Sequence, residues 1–508
     1  MSNTFPIRAI AGRFSFDFSR HALENVLEKH PFEFCAHISG ENHTNTFKGI
    51  PASSQEWFES GEIRNAYYKN IDWNTITPLS EELIMSMSEC ESVFMSLVYR
   101  LEWKRSIPYS TRKRWYLQHL QFWDHYITLH KINLYLSAWI PHEIPDIIIY
   151  HLCKKRGIPV LYFSTTEIHD ISFIEHDIQK SASQILPRYQ ALLEQHKNQE
   201  HDTIPLSEPF ASYEQALTSV QGQPPAIEKI ERPTYQKGVQ KLLWKQPLTF
   251  LRYALQYLTF SGWERAILAI HRWHLMRQVD HFYRKHAIEP DLNKPFVYFP
   301  LHFQPEATTV PMGGAFADLI LAARLLNATL PKDMLIYVKE HPYRSSWLSR
   351  NIKYYQDLLE LEKVRLVPIS VDTFSLREHC RAVATVTGSP GFEALFRGKP
   401  VFLFGSRFYQ YAKGVFPVKS QQDCKEAVRA IFDRGEAPSS WTTHLYLKAM
   451  EENCVRGVLD PWSLQVSQLP EAHHIRIMGQ AIESKLNEIR REIEVVEPNP
   501  DDTTKKIK

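Results

Sequence analysis

The sequence predicts an α/β chain of two Rossmann-like domains facing a cleft, with a helical bridge between them and further helices after the second. Three observations predict it. Between residues 295 and 405, short apolar runs alternate with helical periods across short links: PFVYFPL, FADLILAARLLNATLP, MLIYVKEHP, NIKYYQDLLELE, VRLVPI, SLREHCR, AVATVTG, GFEALFRG, PVFLFG. That alternation is the signature of a doubly wound parallel sheet. Earlier, INLYLSAWI, DIIIYHLCKKRG and IPVLYFSTTEI read as strand, helix and strand, with Pro141 opening the helix and Gly157 closing it in a left-handed cap. Finally, 508 residues exceed what one hydrophobic core of roughly 250–300 residues sustains.

In chain order, RAIAGRF reads as a strand, SRHALENVLEKH as a helix with Leu23 and Leu27 four apart, and PFEFCAHIS as a strand. Residues 54–130 read as mostly helical and rich in Trp and Tyr, and 196–240 as loop or surface helix with scattered prolines. Residues 246–288 are helical, aromatic and basic. They read as a bridge between domains or as a face that docks on anionic membrane through Arg265, Arg272 and Arg277. The expected organisation is an N-terminal domain over 1–245, a bridge over 246–290, a C-terminal Rossmann-like domain over 291–420, helices over 421–493 and a disordered tail over 494–508.

Lys and Arg number 59 against 57 Asp and Glu, a net charge of +2, too balanced for nucleic acid as the main partner. The six cysteines are widely spaced and form no CxxC or Cys/His ligand pattern, which fits a reducing cytoplasm better than a disulfide framework or a zinc site. The first residues lack the apolar core of a signal peptide, and no run approaches the ~18 apolar residues of a spanning helix. A cytoplasmic location is expected, with peripheral contact at the inner membrane as an extension of the docking reading.

Residues 298–314, YFPLHFQPEATTVPMGG, break an apolar strand with His302, Gln304, Pro305 and Glu306, then with two hydroxyls and a glycine pair. So many hydrogen-bonding groups at a strand exit mark the mouth of a ligand cleft or a rigid interdomain turn. VKEHP, residues 338–342, ends a strand with Lys339, Glu340 and His341, and Pro342 halts further sheet pairing. Alone it is a solvated turn; functionally, His341 sets an imidazole N–H on a phosphate oxygen. In VTGSPGFEAL, residues 386–395, Gly388 and Gly391 allow a tight strand-to-helix turn, while Thr387 and Ser389 supply hydroxyls. The first N–H groups of that helix face outward, as at an anion site, and Glu393 either caps the helix or reaches a ribose hydroxyl. An ordinary βα turn uses the same glycines.

Taken together, YFPLHFQPE, VKEHP, VTGSPGFEAL and GKPVFLFG resemble the capsule polysaccharide biosynthesis family of bacterial glycosyltransferases, which includes cytidine-nucleotide-dependent Kdo transferases. The match is dense over residues 295–410 and looser over 141–177. The resemblance implies a GT-B-type fold with the donor nucleotide on the C-terminal domain. The family's His-Pro motif falls on His341 and Pro342, and its glycine turn on Thr387 through Glu393. That turn often reads Thr-Gly-Thr; here Ser389 keeps the hydroxyl and Pro390 follows, which an early helical position tolerates. The expected donor-binding set is Gln304, Glu306, Lys339, His341, Thr387, Gly388, Ser389, Gly391 and Glu393. A CMP-linked ulosonic acid such as Kdo is the first expectation for the donor, a UDP- or GDP-hexose the second, and a surface or capsular glycan or its lipid-linked precursor the acceptor.

Sugar transfer needs a carboxylate or imidazole to activate the acceptor, or a carboxylate nucleophile if configuration is retained. Glu167 and His142 are the first candidates, with Asp17 third; Glu143 and Asp170 also stand at strand ends. No Asp-x-Asp motif stands out, so no metal and no cofactor is expected. Two other functional classes stay open: a non-catalytic nucleotide- or glycan-binding partner of a capsule assembly complex, and an epimerase or hydrolase on the same frame.

Overall fold

The computed structural model describes residues 6–40, 46–103, 106–197, 204–219, 260–304, 309–342 and 350–496. Glu306 and the expected tail from 497 onward lie outside them. The chain divides into two compact units: Met1–Val98, Pro108–Ile178 and Asn453–Lys508 form one; Tyr99–Ile107 and Gln179–Glu452 form the other.

The first unit carries β1 (Arg8–Gly12), β2 (Phe34–Ser39), β3 (Gln55–Glu59), β4 (Leu134–Ser137), β5 (Val160–Thr165) and β6 (Ile171–Glu175). The second carries β7 (Phe296–Pro300), β8 (Leu335–Lys339), β9 (Val364–Val367), β10 (Ala382–Thr385), β11 (Val401–Leu403) and β12 (Val415–Pro417). A last short strand, β13 (Val455–Arg456), returns to the first unit.

The first sheet runs β13-β6-β5-β4-β1-β2-β3. Its core from β5 to β3 is parallel, while β6 and β13 add antiparallel at one edge. The second runs β12-β11-β10-β7-β8-β9 and is parallel throughout. Each unit is thus Rossmann-like, and in each the strand order reverses beside the first strand: between β1 and β4, and between β7 and β10.

The continuous apolar runs follow from burial on both faces, as parallel sheets require. Phe296, Val297, Tyr298 and Phe299 of β7 are all buried. In the second unit Val297, Phe299, Val338, Leu366 and Phe402 share one core with the flanking helices, and in the first Ala9, Ala11, Leu134, Leu136 and Leu161 do so.

Several local expectations shift. The helix after β4 is Ile144–Lys155, opened by Pro145 and not by Pro141, since residues 138–143 are needed to cross the sheet edge. Gly157 does close it, at φ +68. The predominantly helical reading of 54–130 hides β3, and ISFIE, which the sequence reading left unassigned, is the antiparallel β6. The boundary drawn at 245 also differs from the observed division, because 179–219 joins the second unit and the helix Glu471–Val496 packs with the first, Met478, Ile482 and Leu486 entering its core. The described part of the expected bridge, Phe260–His286, docks Val279 and Tyr283 into the core of the second unit.

Candidate functional site

All six strands of the second sheet are parallel, so the segments that follow β7, β8, β10 and β11 leave one common edge. Ligands of open α/β sheets bind there, at the point where strand order reverses. His302, two residues beyond β7, sits at this reversal: its Nε2 accepts the Thr387 N–H at 3.0 Å and lies 3.3 Å from Thr385 Oγ1. An acceptor Nε2 in a neutral ring leaves the proton on Nδ1, and Nδ1 is buried with no partner among the described residues.

Burial pushes the His302 pKa down to about 3, and the positive charges of Arg350, His341 and Arg407 add to the effect. Basic side chains from three separate segments therefore act on this ring. His302 is neutral at any pH near 7. In the first unit His119, buried and bonded through Nδ1 to the Tyr68 hydroxyl at 2.6 Å, is likewise pushed to about 3 by burial.

Because the folded pKa of each lies below the ordinary 6.5, the unfolded chain binds the extra protons and stability falls as pH drops below 6.5. Each histidine should lower the unfolding free energy by about 2 kcal/mol between pH 6.5 and 5. Urea midpoints across that window measure it; His119→Phe should flatten the slope, and an unchanged slope would refute the neutral assignment.

A buried carboxylate organises the rest of the edge. Glu340, at the end of β8, is paired with Arg350, whose Nη1 lies 2.7 and 2.9 Å from its two oxygens. It also accepts the Tyr355 hydroxyl and the His341 N–H at 2.7 Å. Arg350 Nη2 reaches back to the His302 carbonyl at 2.8 Å and Gln304 Oε1 at 3.0 Å. Burial opposes the Arg350 charge, but Glu340 together with Tyr354 and Tyr355 outweighs it and the pKa is raised. The exits of β7 and β8 are thereby fixed to each other, and the polar run after β7 is explained in part by this internal bonding.

Of the residues expected to bind the donor, the structure brings His341, Thr387, Gly388, Ser389 and Gly391 to this edge. His341 is half-buried with its ring 5.7 Å from that of Phe303. Gly388 donates its N–H to Thr385 Oγ1 at 3.0 Å and accepts the Tyr409 hydroxyl at 2.6 Å. A Cβ on Gly391 would lie 2.6 Å from the Tyr409 hydroxyl, so that position has no room for a side chain.

Three others are engaged inside the fold. Gln304 donates to the Ala317 carbonyl at 2.5 Å while accepting from Arg350. Lys339 donates to the Val371 carbonyl at 2.5 Å and to Thr373 Oγ1 at 2.8 Å, and burial lowers its pKa against the pull of Asp372. Glu393 is buried in an ion pair with Arg377, which joins the helix Ser389–Leu395 to the helix Thr373–His379. A carboxylate spent on a buried arginine is not available to a ribose.

The acceptor-side candidates stand after strands of the first sheet. His142 follows β4 with Nδ1 2.7 Å from the Ile140 carbonyl. Glu167 and Asp170 lie in the hairpin turn between β5 and β6, with Asp170 at φ +62 and 3.9 Å from the His474 ring. Asp17 opens the helix Asp17–Leu27, 77% exposed and paired with Arg20 at 3.0 Å, the geometry of a helix-start surface residue.

The sequence reading missed a polar centre at the strand reversal of this sheet. Arg13, at φ +68, donates to Asp146 at 2.6 Å, with Glu143 at 3.9 Å. Burial opposes the Arg13 charge, yet Asp146 and Glu143 raise its pKa. The second Asp146 oxygen is buried without a partner among the described residues, and the buried Tyr135 hydroxyl and Ser137 Oγ lie beside it and interact with each other. A non-glycine residue held in left-handed geometry costs about 1–3 kcal/mol and is a mark of a constrained site. Arg13 directly follows the last residue of β1, the one signal in sequence that points to it.

A family model described as capsule polysaccharide biosynthesis protein matches residues 265–427. The match covers about a third of the chain, so the similarity to that family is one of this stretch. It contains all six strands of the second sheet, the VKEHP and VTGSPGFEAL motifs and the whole edge around His302. No curated protein matches the chain by sequence. Among solved structures it is similar to the Thermosulfurimonas dismutans KpsC, a beta Kdo 2,7 transferase (12% identity, 74% of this chain, 91% of that one, TM-score 0.28). It is also similar to a glycosyltransferase from Rickettsia africae (10%, 96% and 99%, TM-score 0.25) and to the UDP-GlcNAc 2-epimerase of Methanocaldococcus jannaschii (10%, 88% and 100%, TM-score 0.24). The matched segment owes its fold assignment to its own strand order.

Proposed function

We propose that the protein is a glycosyltransferase that moves a sugar from a nucleotide-activated donor onto a surface or capsular glycan or its lipid-linked precursor. The observation that carries this reading is the glycine turn after β10, held by His302 through the Thr387 N–H and Thr385 Oγ1 at the strand reversal of the second sheet, with Arg350 bonded to the His302 carbonyl. Arg350 is neutralised by Glu340; His341 and Arg407, with the Ser389 hydroxyl, are the groups proposed to meet the donor's phosphate. Negative charge grows on that phosphate as the glycosidic bond to the nucleotide breaks, so donors fixed in place beforehand stabilise the transition state more than the ground state.

His302 is assigned the role of a positioning residue: by accepting the Thr387 N–H it holds the turn that presents Ser389. Glu167 and His142 remain the proposed acceptor-side groups, and a CMP-linked ulosonic acid such as Kdo the proposed donor, ahead of a UDP- or GDP-hexose. No metal or cofactor is assigned a role.

Calorimetry of the purified chain against CMP, CDP, UDP and GDP tests the reading, repeated with His341→Ala. A hydrogen bond to a charged group is worth about 1.5–3 kcal/mol, so the substitution should weaken the preferred nucleotide by roughly 10- to 100-fold. Equal binding by wild type and variant would remove the phosphate site. Binding without sugar transfer would favour the non-catalytic partner.

A further inference from the structure

The helix Phe260–His286 has a buried face and an opposite face whose described residues are exposed. Val279 and Tyr283 point into the core. At about 100° per residue, positions 263, 267, 270, 274, 277, 281 and 285 fall in one stripe on the other side. The stripe reads Trp, Ile, Ile, His, Arg, His, Lys and contains no acidic residue.

Its first half is apolar and in water: Trp263 is 60%, Ile267 63% and Ile270 67% exposed. Its second half borders a groove of about 810 Å³ between this helix and Ile352, lined by Trp273, His274, Arg277, His281 and Lys285. The Arg277 guanidinium lies 4.8 Å over the Trp273 ring, which holds the charge at the groove's rim.

An apolar end with a tryptophan, continued along one face by a cationic end, is the pattern of an interfacial helix. A second copy fits it poorly, since pairing would bring two cationic grooves together.

We propose that this face docks the protein on an anionic phospholipid bilayer, with Trp263, Ile267 and Ile270 entering the interface and Arg277 and Lys285 meeting lipid phosphates. The inference goes beyond the catalytic proposal and does not rest on it.

Flotation of the full chain with vesicles of phosphatidylglycerol and phosphatidylcholine, against phosphatidylcholine alone, tests it. The wild type should float only with the anionic vesicles and be released by high salt. The triple variant Trp263→Ser/Ile267→Ser/Ile270→Ser and the double variant Arg277→Glu/Lys285→Glu should each lose at least about tenfold in vesicle affinity, with unfolding curves like that of the wild type. A readout that needs no variant is tryptophan emission, which should shift to the blue on anionic vesicles and be quenched by brominated lipid. Absence of flotation at low salt, absence of the blue shift, or variants that bind as the wild type does would each overturn the proposal. So would a dimer in solution that the same substitutions dissolve, which would give the face to a second copy.

Discussion

Glu340→Ala should lower the unfolding free energy by about 3–5 kcal/mol, because removing one member of a buried pair leaves the other charge uncompensated. The Glu340 carboxylate is fully buried and takes two contacts from Arg350, one from the Tyr355 hydroxyl and one from the His341 N–H. Truncation strands all of these donors at once. Arg350, released, no longer has a reason to remain against the His302 carbonyl and Gln304, so the exits of β7 and β8 lose their tie. Nucleotide affinity should fall with stability, although Glu340 itself touches no ligand in the proposed scheme. Urea unfolding and calorimetry on the same preparation read both effects. The double variant Glu340→Leu/Arg350→Met should recover much of the stability, as apolar replacements of buried pairs do, without recovering the affinity. A loss below about 1 kcal/mol for Glu340→Ala, the range of an exposed pair, would show that the carboxylate is solvated.

Gly388→Ala should abolish most nucleotide binding at a modest stability cost. The backbone is no obstacle, since Gly388 lies at φ −75 and ψ 151. Space is the obstacle: a Cβ there would sit 2.9 Å from Thr385 Oγ1, 3.2 Å from His302 Nε2 and 3.2 Å from Pro390 Cδ. Thr385 and His302 are the groups that hold the turn, through the Gly388 and Thr387 N–H donors. Relieving the overlap moves Ser389, and overpacking of this kind costs about 1–3 kcal/mol. Gly435→Ala is the matched control. That glycine is at φ +67 with open space around it, so its replacement costs about 1 kcal/mol through backbone strain alone and leaves binding intact. If Gly388→Ala binds the nucleotide as tightly as the wild type, the turn does not shape the site.

Much of this architecture is legible in sequence because its cause is local. The apolar runs of β7, β8 and β10 are continuous since both faces of the sheet are covered, and the glycines of VTGSPGFEAL stand where backbone and side chains approach too closely for a Cβ. The common edge of the second sheet follows from the alternation of strands and helices, which allows parallel pairing alone across such links.

Other features are not local, and there the structure departs from what the sequence suggests. VKEHP offers Lys339, Glu340 and His341 in a row, yet these three neighbours meet different fates: Lys339 bonds to Val371 and Thr373, Glu340 to Arg350 and Tyr355, and His341 lies half-buried beside Phe303. Gln304 and Glu393, chosen as ligand contacts, bond internally to residues 46 and 16 positions away. His302 was visible in its motif, but its partner Thr387 is 85 positions distant. Arg13 and Asp146, 133 apart, formed no pattern at all.

The division has one physical reason. Periodic burial and backbone geometry are set by residues within a turn or a strand of one another, so the order of elements, the two sheets and the polar edge of the second are written along the chain. Which polar group faces a ligand and which is consumed by a buried partner depends on what packing brings within about 3 Å, where leaving a donor or acceptor unpaired costs about 1–3 kcal/mol. That choice is made across tens of residues, when the elements are already in place.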